Sequence, residues 1–597
     1  MKKTTIHTLL AIMMATMTTA CQKDDATESY TASYSNSDSS SGSSISSGTS
    51  TSSDDLLSFT VAIDSTSAEP ASAATAYYPD AEEDSVSADN FTNVVTIVFS
   101  GNSASCSSLD GVTASISGAH VTVDHGSTKN VCYAVSGSTT AGSLTVAGDK
   151  KYALRLNGVS IANPDSSAIN LVSKKRAYIA LADGTTNTLK DGTASQADDQ
   201  KAAFYCKGKM LFSGSGALRV YGQYKNAIAC ADYMVFGKGN NIYATSTANH
   251  GIKANDGIFI NGGILNVEVS AAAAKGINCE SNIVVNGGRT TVVTTGNGTY
   301  DSDEADTKAA AGIACDSVFT INGGELNVRS TGTGGKGIKA DWEAFITGGT
   351  IHAITEGSQY RYSSSLTSSP KGIKVGTKNV HGLLNISGGT VMVRTSGTNG
   401  EGIESKGTLT ISDGTVQVSA YDDAINSAGD MTVSGGSIVA VGKNSDGLDT
   451  NGNLYIKGGN IVAYGASGAE TGIDVGEQYR LYVTGGSFFG IGGRIDATVG
   501  STTQGIASTT GSVTANSTVT VNDGNTVLAT FIMPPYAYNS GTIMVSAPGM
   551  VSGNSYTLTL GTSTQTLSAS SSVSSGMGGA GGNQPGGGGM GGGGRPW

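Results

Sequence analysis

A phrase of about 24 residues recurs along most of this 597-residue chain, and that repeat constrains the fold more than any single motif. Each copy opens on a small residue and an Ile-type anchor. A few polar residues, a short alternating strand, a Gly pair and a second strand follow. The anchors are Ile169, Phe204, Ile228, Ile252, Ile277, Ile313, Ile338, Ile373, Ile403, Ile425, Leu448 and Ile473; most intervals are 22 to 25 residues and four are 30 to 36. Gly262-Gly263, Gly287-Gly288, Gly323-Gly324, Gly348-Gly349, Gly388-Gly389, Gly435-Gly436, Gly458-Gly459 and Gly485-Gly486 keep the same beat, with Asp413-Gly414 in the remaining slot. Strands such as Leu409-Thr410-Ile411-Ser412 and Ile264-Leu265-Asn266-Val267 alternate with period two, the signature of a half-buried strand. Short strands at this spacing without helices predict an all-β, right-handed parallel β-helix of about twelve coils with β caps at both ends, the hand being that of parallel crossovers. A propeller needs about 40 residues per blade and does not match. The 85 glycines follow no G-X-Y period, which excludes collagen; many fall at the coil corners.

The two ends read differently. Lys2 and Lys3 precede a short apolar run that ends at Thr18-Thr19-Ala20-Cys21. This predicts a cleaved signal over 1–20 and lipidation of Cys21, although Thr18 stands where a lipobox has Leu. Gln22-Lys23-Asp24-Asp25 is similar to a surface-export signal of such lipoproteins. The expected location is therefore the outer membrane or cell surface, with membrane contact only through the lipid. Residues 21–55 read as a Ser-rich tether and 571–597 as a Gly-rich tail. Between them lie a β region or cap at 56–165, the helix at 166–493 and a C-terminal β cap at 494–570. A formal charge of −12 argues against nucleic acid, and a monomer is expected.

Aligning the coils on their anchors puts equivalent residues in columns. Two positions after the anchor stand Cys206, Cys230, Cys279 and Cys315, predicted as buried free thiols; Cys106 and Cys132, outside the repeat, are candidates for a bridge in an exported protein. Two other columns are expected to face outward. Two residues before the anchor stand His250, Lys275, Lys336, Lys371, Glu401, Asp423 and Asp446; one residue after it stand Lys253, Lys339, Lys374, Glu404, Asp449 and Asp474. Both turn from basic to acidic between Ile373 and Ile403. Stacked carboxylates repel and invite a cation, and oxygen donors without His suit Ca²⁺. The candidate ligands are Glu401, Glu404, Asp422, Asp423, Asp446, Asp449 and Asp474. The alternative is a solvated acidic edge. Lys336, Lys339, Lys371 and Lys374 suit the carboxylates of an acidic glycan, with Trp342, Tyr360, Tyr362 and Tyr421 as stacking surfaces. Two long loops protrude, Gly296–Lys308 with Asp301, Asp303, Glu304 and Asp306, and Ser358–Pro370 with Tyr360, Arg361 and Tyr362.

Several phrases coincide with one family: Leu156-Asn157-Gly158-Val159-Ser160-Ile161, Leu181-Ala182-Asp183-Gly184-Thr185-Thr186-Asn187-Thr188-Leu189, the Gly-Ile…Asn/Ser-Gly-Gly repeats and Ser552-Gly553-Asn554-Ser555-Tyr556. Together, over about 90–560, they resemble the bacterial carbohydrate-binding β-helix proteins formerly described as a domain of unknown function. The resemblance implies a right-handed parallel β-helix that binds calcium, cellulose and acidic polysaccharides such as polygalacturonate. It is similar in shape to calcium-dependent pectate lyases, without established catalysis. The expected function is thus a cell-surface lipoprotein that binds acidic, uronate-rich polysaccharide on a Ca²⁺-binding β-helix without catalysis. One alternative is a calcium-dependent lyase with its base among Lys371, Lys374 and Lys406. Another is a structural adhesin.

Overall fold

The structure is a computed structural model and describes residues 56–63, 68–70, 74–194 and 200–573; Cys21, the tether and most of the tail lie outside them. The repeat folds as expected, into a parallel β-helix. One 15-stranded sheet takes one strand from each coil, and a 25-stranded sheet takes the strands on either side of the Gly corner. The anchors stack in register from Ile228 to Ile473, Ile228 opposite Ile252, Ile373 opposite Ile403 and Leu448 opposite Ile473. The longer intervals loop out without shifting that register: Ile277 faces Ile313 and Ile338 faces Ile373 across the two long insertions.

The solenoid has about fifteen turns rather than twelve, because it begins earlier than expected. Leu144 stacks on Ile169, and Val121 on Leu144, in the same parallel sheet. Val and Leu replace the Ile anchor there and no Gly pair marks the corner. The beat was present but its letters were not.

The corners explain the glycine pairs. The second Gly takes a left-handed conformation in every pair, for example Gly324 at φ +82°, Gly414 at φ +98° and Gly436 at φ +81°. A Cβ on Gly436 would sit 2.8 Å from the Gly414 carbonyl oxygen of the coil below. Conformation and close approach thus both demand glycine. Gly436→Ala should lower stability by about 1–3 kcal/mol, read from the midpoint of urea unfolding; an unchanged midpoint would contradict this account of the corner. The residue before the pair adds a ladder in three coils. Asn286 Nδ2 donates to Asn261 Oδ1 at 2.9 Å and Asn322 Nδ2 to Asn286 Oδ1 at 2.9 Å.

The interior is a continuous column of aliphatic side chains, with Cys206, Cys230, Cys279 and Cys315 buried and unbridged as expected. Cys206 lies opposite Cys230, and Cys279 opposite Cys315. Cys106 and Cys132 are also free. They point to opposite sides of the sheet: Cys106 packs on the interior, whereas Cys132 packs outward under Phe91 and Tyr178. That separation rules out the bridge considered from the sequence.

The described residues between 56 and 91 do not cap the helix end but lie along its outside as a strap. Tyr77, Tyr78, Val86, Ala88 and Phe91 cover an apolar stripe of Ala153, Tyr178, Leu211, Tyr233, Val235, Phe259 and Val284 on the sheet's outer face. Arg176 pins the strap through Asp84 at 2.7 Å and Asp80 at 2.9 Å. Farther along, Phe59 stacks on His352 and the Leu56 amide donates to Tyr536 Oη. At the other end, Ile506–Val513 and Tyr538–Ser546 extend the last coil antiparallel. A four-stranded sheet then covers Val439, Val462, Phe489 and Ile491. This shields an edge that would otherwise recruit another strand. No helix among the described residues is long and apolar enough to cross a membrane.

Candidate functional site

The column two residues before the anchor was expected to face solvent; the structure buries Lys336, Lys371 and Asp446 and half-buries His250, Lys275, Glu401 and Asp423. Its acceptor side chains hold the backbone of the next coil. His250 Nδ1 accepts from the Lys275 amide at 2.9 Å, Asp423 Oδ1 from the Asp446 amide at 3.1 Å, and Asp446 Oδ1 from the Thr471 amide at 2.5 Å. Where the column carries lysine, the direction reverses. Lys275 Nζ donates to the Ala273 and Ala309 carbonyls, and Lys336 Nζ to the Gly334 carbonyl, Ser368 Oγ and the Ser369 carbonyl. The three donors of Lys336 are thereby used, so Lys336 cannot serve as the glycan ligand expected from the sequence. Burial pushes Lys275 down to about 8 and Lys336 well below the usual lysine range.

The sign change falls on a buried ion network. Lys371, 8% exposed, pairs with Glu401 and, at 3.1 Å, with Glu404. Lys406 pairs with Glu404 at 2.6 Å. Burial opposes the charge on Glu404, but Lys371, Lys374 and Lys406 outweigh it and hold the carboxyl below the usual range. Burial likewise works against the Lys371 ammonium, and Glu401 and Glu404 outweigh it and hold it above the usual range. Lys371 is therefore neither a free glycan contact nor a base. Burial pushes Glu401 up to about 7, with Glu404 and Asp423 adding to the effect against Lys371. The second oxygens of Glu401 and Glu404 are buried without a hydrogen-bond partner among the described residues.

Beyond this junction the outward column is acidic, with Arg494 its nearest basic neighbour. Asp449 lies opposite Asp474, and Asp474 opposite Asp496 of the following turn. Among the described residues, neither Asp449 nor Asp474 pairs with a lysine or arginine; Arg494 pairs with Asp496 at 2.5 Å. Burial, then Asp423, Asp474, Asp446 and Glu401, push Asp449 up to about 9. Burial, then Asp474, Asp423 and Glu470, push Asp446 up to about 8 against its bond to the Thr471 amide. Burial and Asp496 push Asp474 up to about 6, and burial with Asp423 raises Asp422. The donor set is oxygen only, mutually repelling and short of cations, which suits a hard divalent ion. As placed, no three His, Cys, Asp or Glu side chains among the described residues converge on a common point. Asp496 was missed from the sequence because the glycine beat fades there, yet Ile495-Asp496 repeats Ile473-Asp474.

Other expected ligands are dispersed. Lys339 pairs with Asp341 at 2.7 Å, and Lys374 is mostly buried. Trp342 is exposed on the same edge. Tyr360 is half-buried, lying over Gly298 and Gly334, and Tyr362 is exposed. Most of the acidic loop's charge is paired: Lys308 with Asp301 and Glu304, and Lys378 of the 376–382 loop with Asp306 at 2.5 Å.

The fold is a long parallel β-solenoid, and one edge of it passes from a buried ion network to a column of carboxylates. The description "carbohydrate-binding domain-containing protein" matches residues 117–272, 268–357, 332–443 and 381–531. The chain belongs to this carbohydrate-binding family. A relative of the same description from Acetivibrio thermocellus is 29% identical over 151 residues, 24% of this chain and 51% of the relative, so the match spans about half that protein. A solved structure of a polysaccharide lyase-like protein from C. thermocellum, a gadolinium derivative, is 17% identical and covers 61% of this chain and 97% of its own, with a TM-score of 0.24. That likeness is too slight to carry an argument.

Proposed function

We propose that this chain is a non-catalytic binder of acidic, uronate-rich polysaccharide, held at the cell surface by lipid on Cys21, with Ca²⁺ as the bridge. The observation that carries the reading is the carboxylate column of Asp449 and Asp474, stacked one coil apart, raised by burial and by neighbouring carboxylates, and ion-paired with no lysine or arginine among the described residues, Arg494 only partly offsetting the charge at Asp474. Asp449 and Asp474 would hold the ion, with Asp422 and the second oxygen of Asp446 beside them; both oxygens of Asp423 already accept, from the Asp446 amide and Asn426 Nδ2. Glu401 and Glu404 belong to the Lys371 network instead. Bound Ca²⁺ would neutralise the column and leave coordination positions for glycan carboxylates. The protein's own part is rigid spacing, because register fixes these carboxylates one coil apart. The lyase alternative loses Lys371, which its two glutamates keep protonated.

Affinity electrophoresis of the purified full chain through gels containing polygalacturonate tests this reading. Retardation with Ca²⁺ that EDTA abolishes, without unsaturated-uronate absorbance, is expected. Unsaturated product would establish a lyase. Retention indifferent to EDTA would remove the role of the ion, and no retention on any glycan would favour the adhesin.

A further inference from the structure

Two insertions two coils apart leave the rod and meet. The first forms the hairpin Thr299–Asp301 with Asp306–Lys308, and the second the hairpin Tyr360–Arg361 with Thr367–Ser368. Thr307 Oγ1 donates to the Thr367 carbonyl at 3.2 Å between them. At the meeting point the rings of Tyr300 and Tyr362 stack with centroids 3.9 Å apart and planes 5° from parallel. Stacking covers one face of each ring, yet Tyr362 remains 54% exposed, the most exposed aromatic among the described residues.

The arm is braced. Half-buried Lys275 grips the Ala309 carbonyl just past the first hairpin, and buried Lys336 grips Ser368 and Ser369 at the end of the second. Tyr360 seats against Gly298, where a Cβ would lie 2.7 Å from its ring. Lys378 ties the first hairpin to the 376–382 loop through Asp306. Asp301 and Glu304 face Lys308, and Asp306 faces Lys378 of the 376–382 loop, while the exposed Asp303 pairs with no cation among the described residues. Arg361 is likewise without an ionic partner. It is exposed, donates to Gln359 Oε1 at 3.1 Å, and pairs with no carboxylate among the described residues.

An exposed aromatic ring on a braced support has little rotamer freedom left to lose on binding. It presents a flat apolar face, and the exposed Arg361, whose guanidinium is engaged only with Gln359 Oε1 among the described residues, precedes it in the chain. A pyranose ring has the matching surface, a face of axial C–H bonds, and a uronate adds a carboxylate for the guanidinium to take in a forked pair. We infer that the paired hairpins form a second glycan subsite, in which Tyr362, backed by Tyr300, stacks on a hexuronate ring and Arg361 takes its carboxylate. The inference rests on the polysaccharide-binding reading above, but the subsite uses neither the carboxylate column nor its cation.

The test is affinity electrophoresis of the full chain and its variants in polygalacturonate with Ca²⁺ present, each variant checked for an unchanged thermal midpoint. Tyr362→Ala should weaken binding roughly five- to ten-fold. Tyr362→Phe, which keeps the ring, should bind as the wild type. Tyr362→Leu, apolar but not aromatic, should bind as weakly as Tyr362→Ala. Arg361→Gln should weaken binding to polygalacturonate and leave binding to a neutral glucan unchanged. Tyr221→Ala, an exposed tyrosine elsewhere on the rod, is the control. Wild-type binding by Tyr362→Ala overturns the subsite while leaving the carboxylate site standing, and a Tyr362→Phe as weak as Tyr362→Ala overturns stacking as its basis. A wild-type chain retained on no glycan overturns the binding reading and the arm with it.

Discussion

Lys371→Met should destabilise the fold by about 3–5 kcal/mol, the largest loss expected from a single polar substitution in this protein. Lys371 is 8% exposed and faces two carboxylates, one 3% and the other 14% exposed. Removing the ammonium leaves both acids buried, with Lys406 the remaining partner of Glu404. Because the loss is one of charge compensation, adding Glu401→Gln and Glu404→Gln to Lys371→Met should recover most of it. Failure to recover would place the effect in packing instead. The pH dependence follows from the directions. Glu404 is held below its unfolded range, so its contribution is present above about pH 4.3 and lost as pH falls through its folded value. Lys371 is held above its unfolded range, so its contribution persists to beyond about pH 10.4. Glu401 at about 7 acts oppositely to Glu404: its share is full below about pH 4.3 and lost as pH rises to about 7. Urea unfolding followed by circular dichroism between pH 3 and 8 reads the two glutamates, a range across which Lys371 should contribute a constant amount.

Asp449→Asn should do the reverse, stabilising the metal-free protein at pH 8 by on the order of 2–4 kcal/mol. Asp449 is raised to about 9 by burial and by Asp423, Asp474, Asp446 and Glu401. The folded state therefore keeps its proton where the unfolded chain has lost it. Its contribution is full below about pH 4 and declines as pH rises to about 9, so wild type in EDTA should lose stability across that window. Asparagine, which cannot ionise, removes the slope. Ca²⁺ should raise the wild-type melting midpoint at pH 8 by stabilising the ionised column, and Asp449→Asn should lose most of that response. A variant more stable without the ion and blind to it would show a residue kept for binding at a cost in stability. An equal Ca²⁺ response in both proteins would move the ion elsewhere.

The fold was legible because each coil repeats the same physical requirements: an inward Ile, a period-two strand and a left-handed glycine. Where the letters changed but the requirement did not, as at Val121 and Leu144, the coils went uncounted. The site was less legible. Column positions could be aligned from sequence, but whether a column faces water depends on what folds over it. The hairpins and the 376–382 loop cover the lysines, and that covering is a tertiary fact that no alignment of anchors contains. Asp423 and Asp446 stood among the expected metal ligands. Their use as acceptors for the next coil's amides depends on a two-residue offset from the anchor that turns inward rather than out. Tyr362 could be picked out as an aromatic on a loop. Its partner Tyr300 could not, because the two lie in separate insertions and meet only in the fold.

The most direct test of the central claim is calorimetric titration of the full chain with Ca²⁺ at pH 8, followed by polygalacturonate, for wild type and for Asp449→Asn with Asp474→Asn. The account predicts Ca²⁺ binding by the wild type, glycan binding only after the ion is present, and loss of both in the double variant. Glycan binding of equal strength in EDTA, or in the double variant, would contradict it.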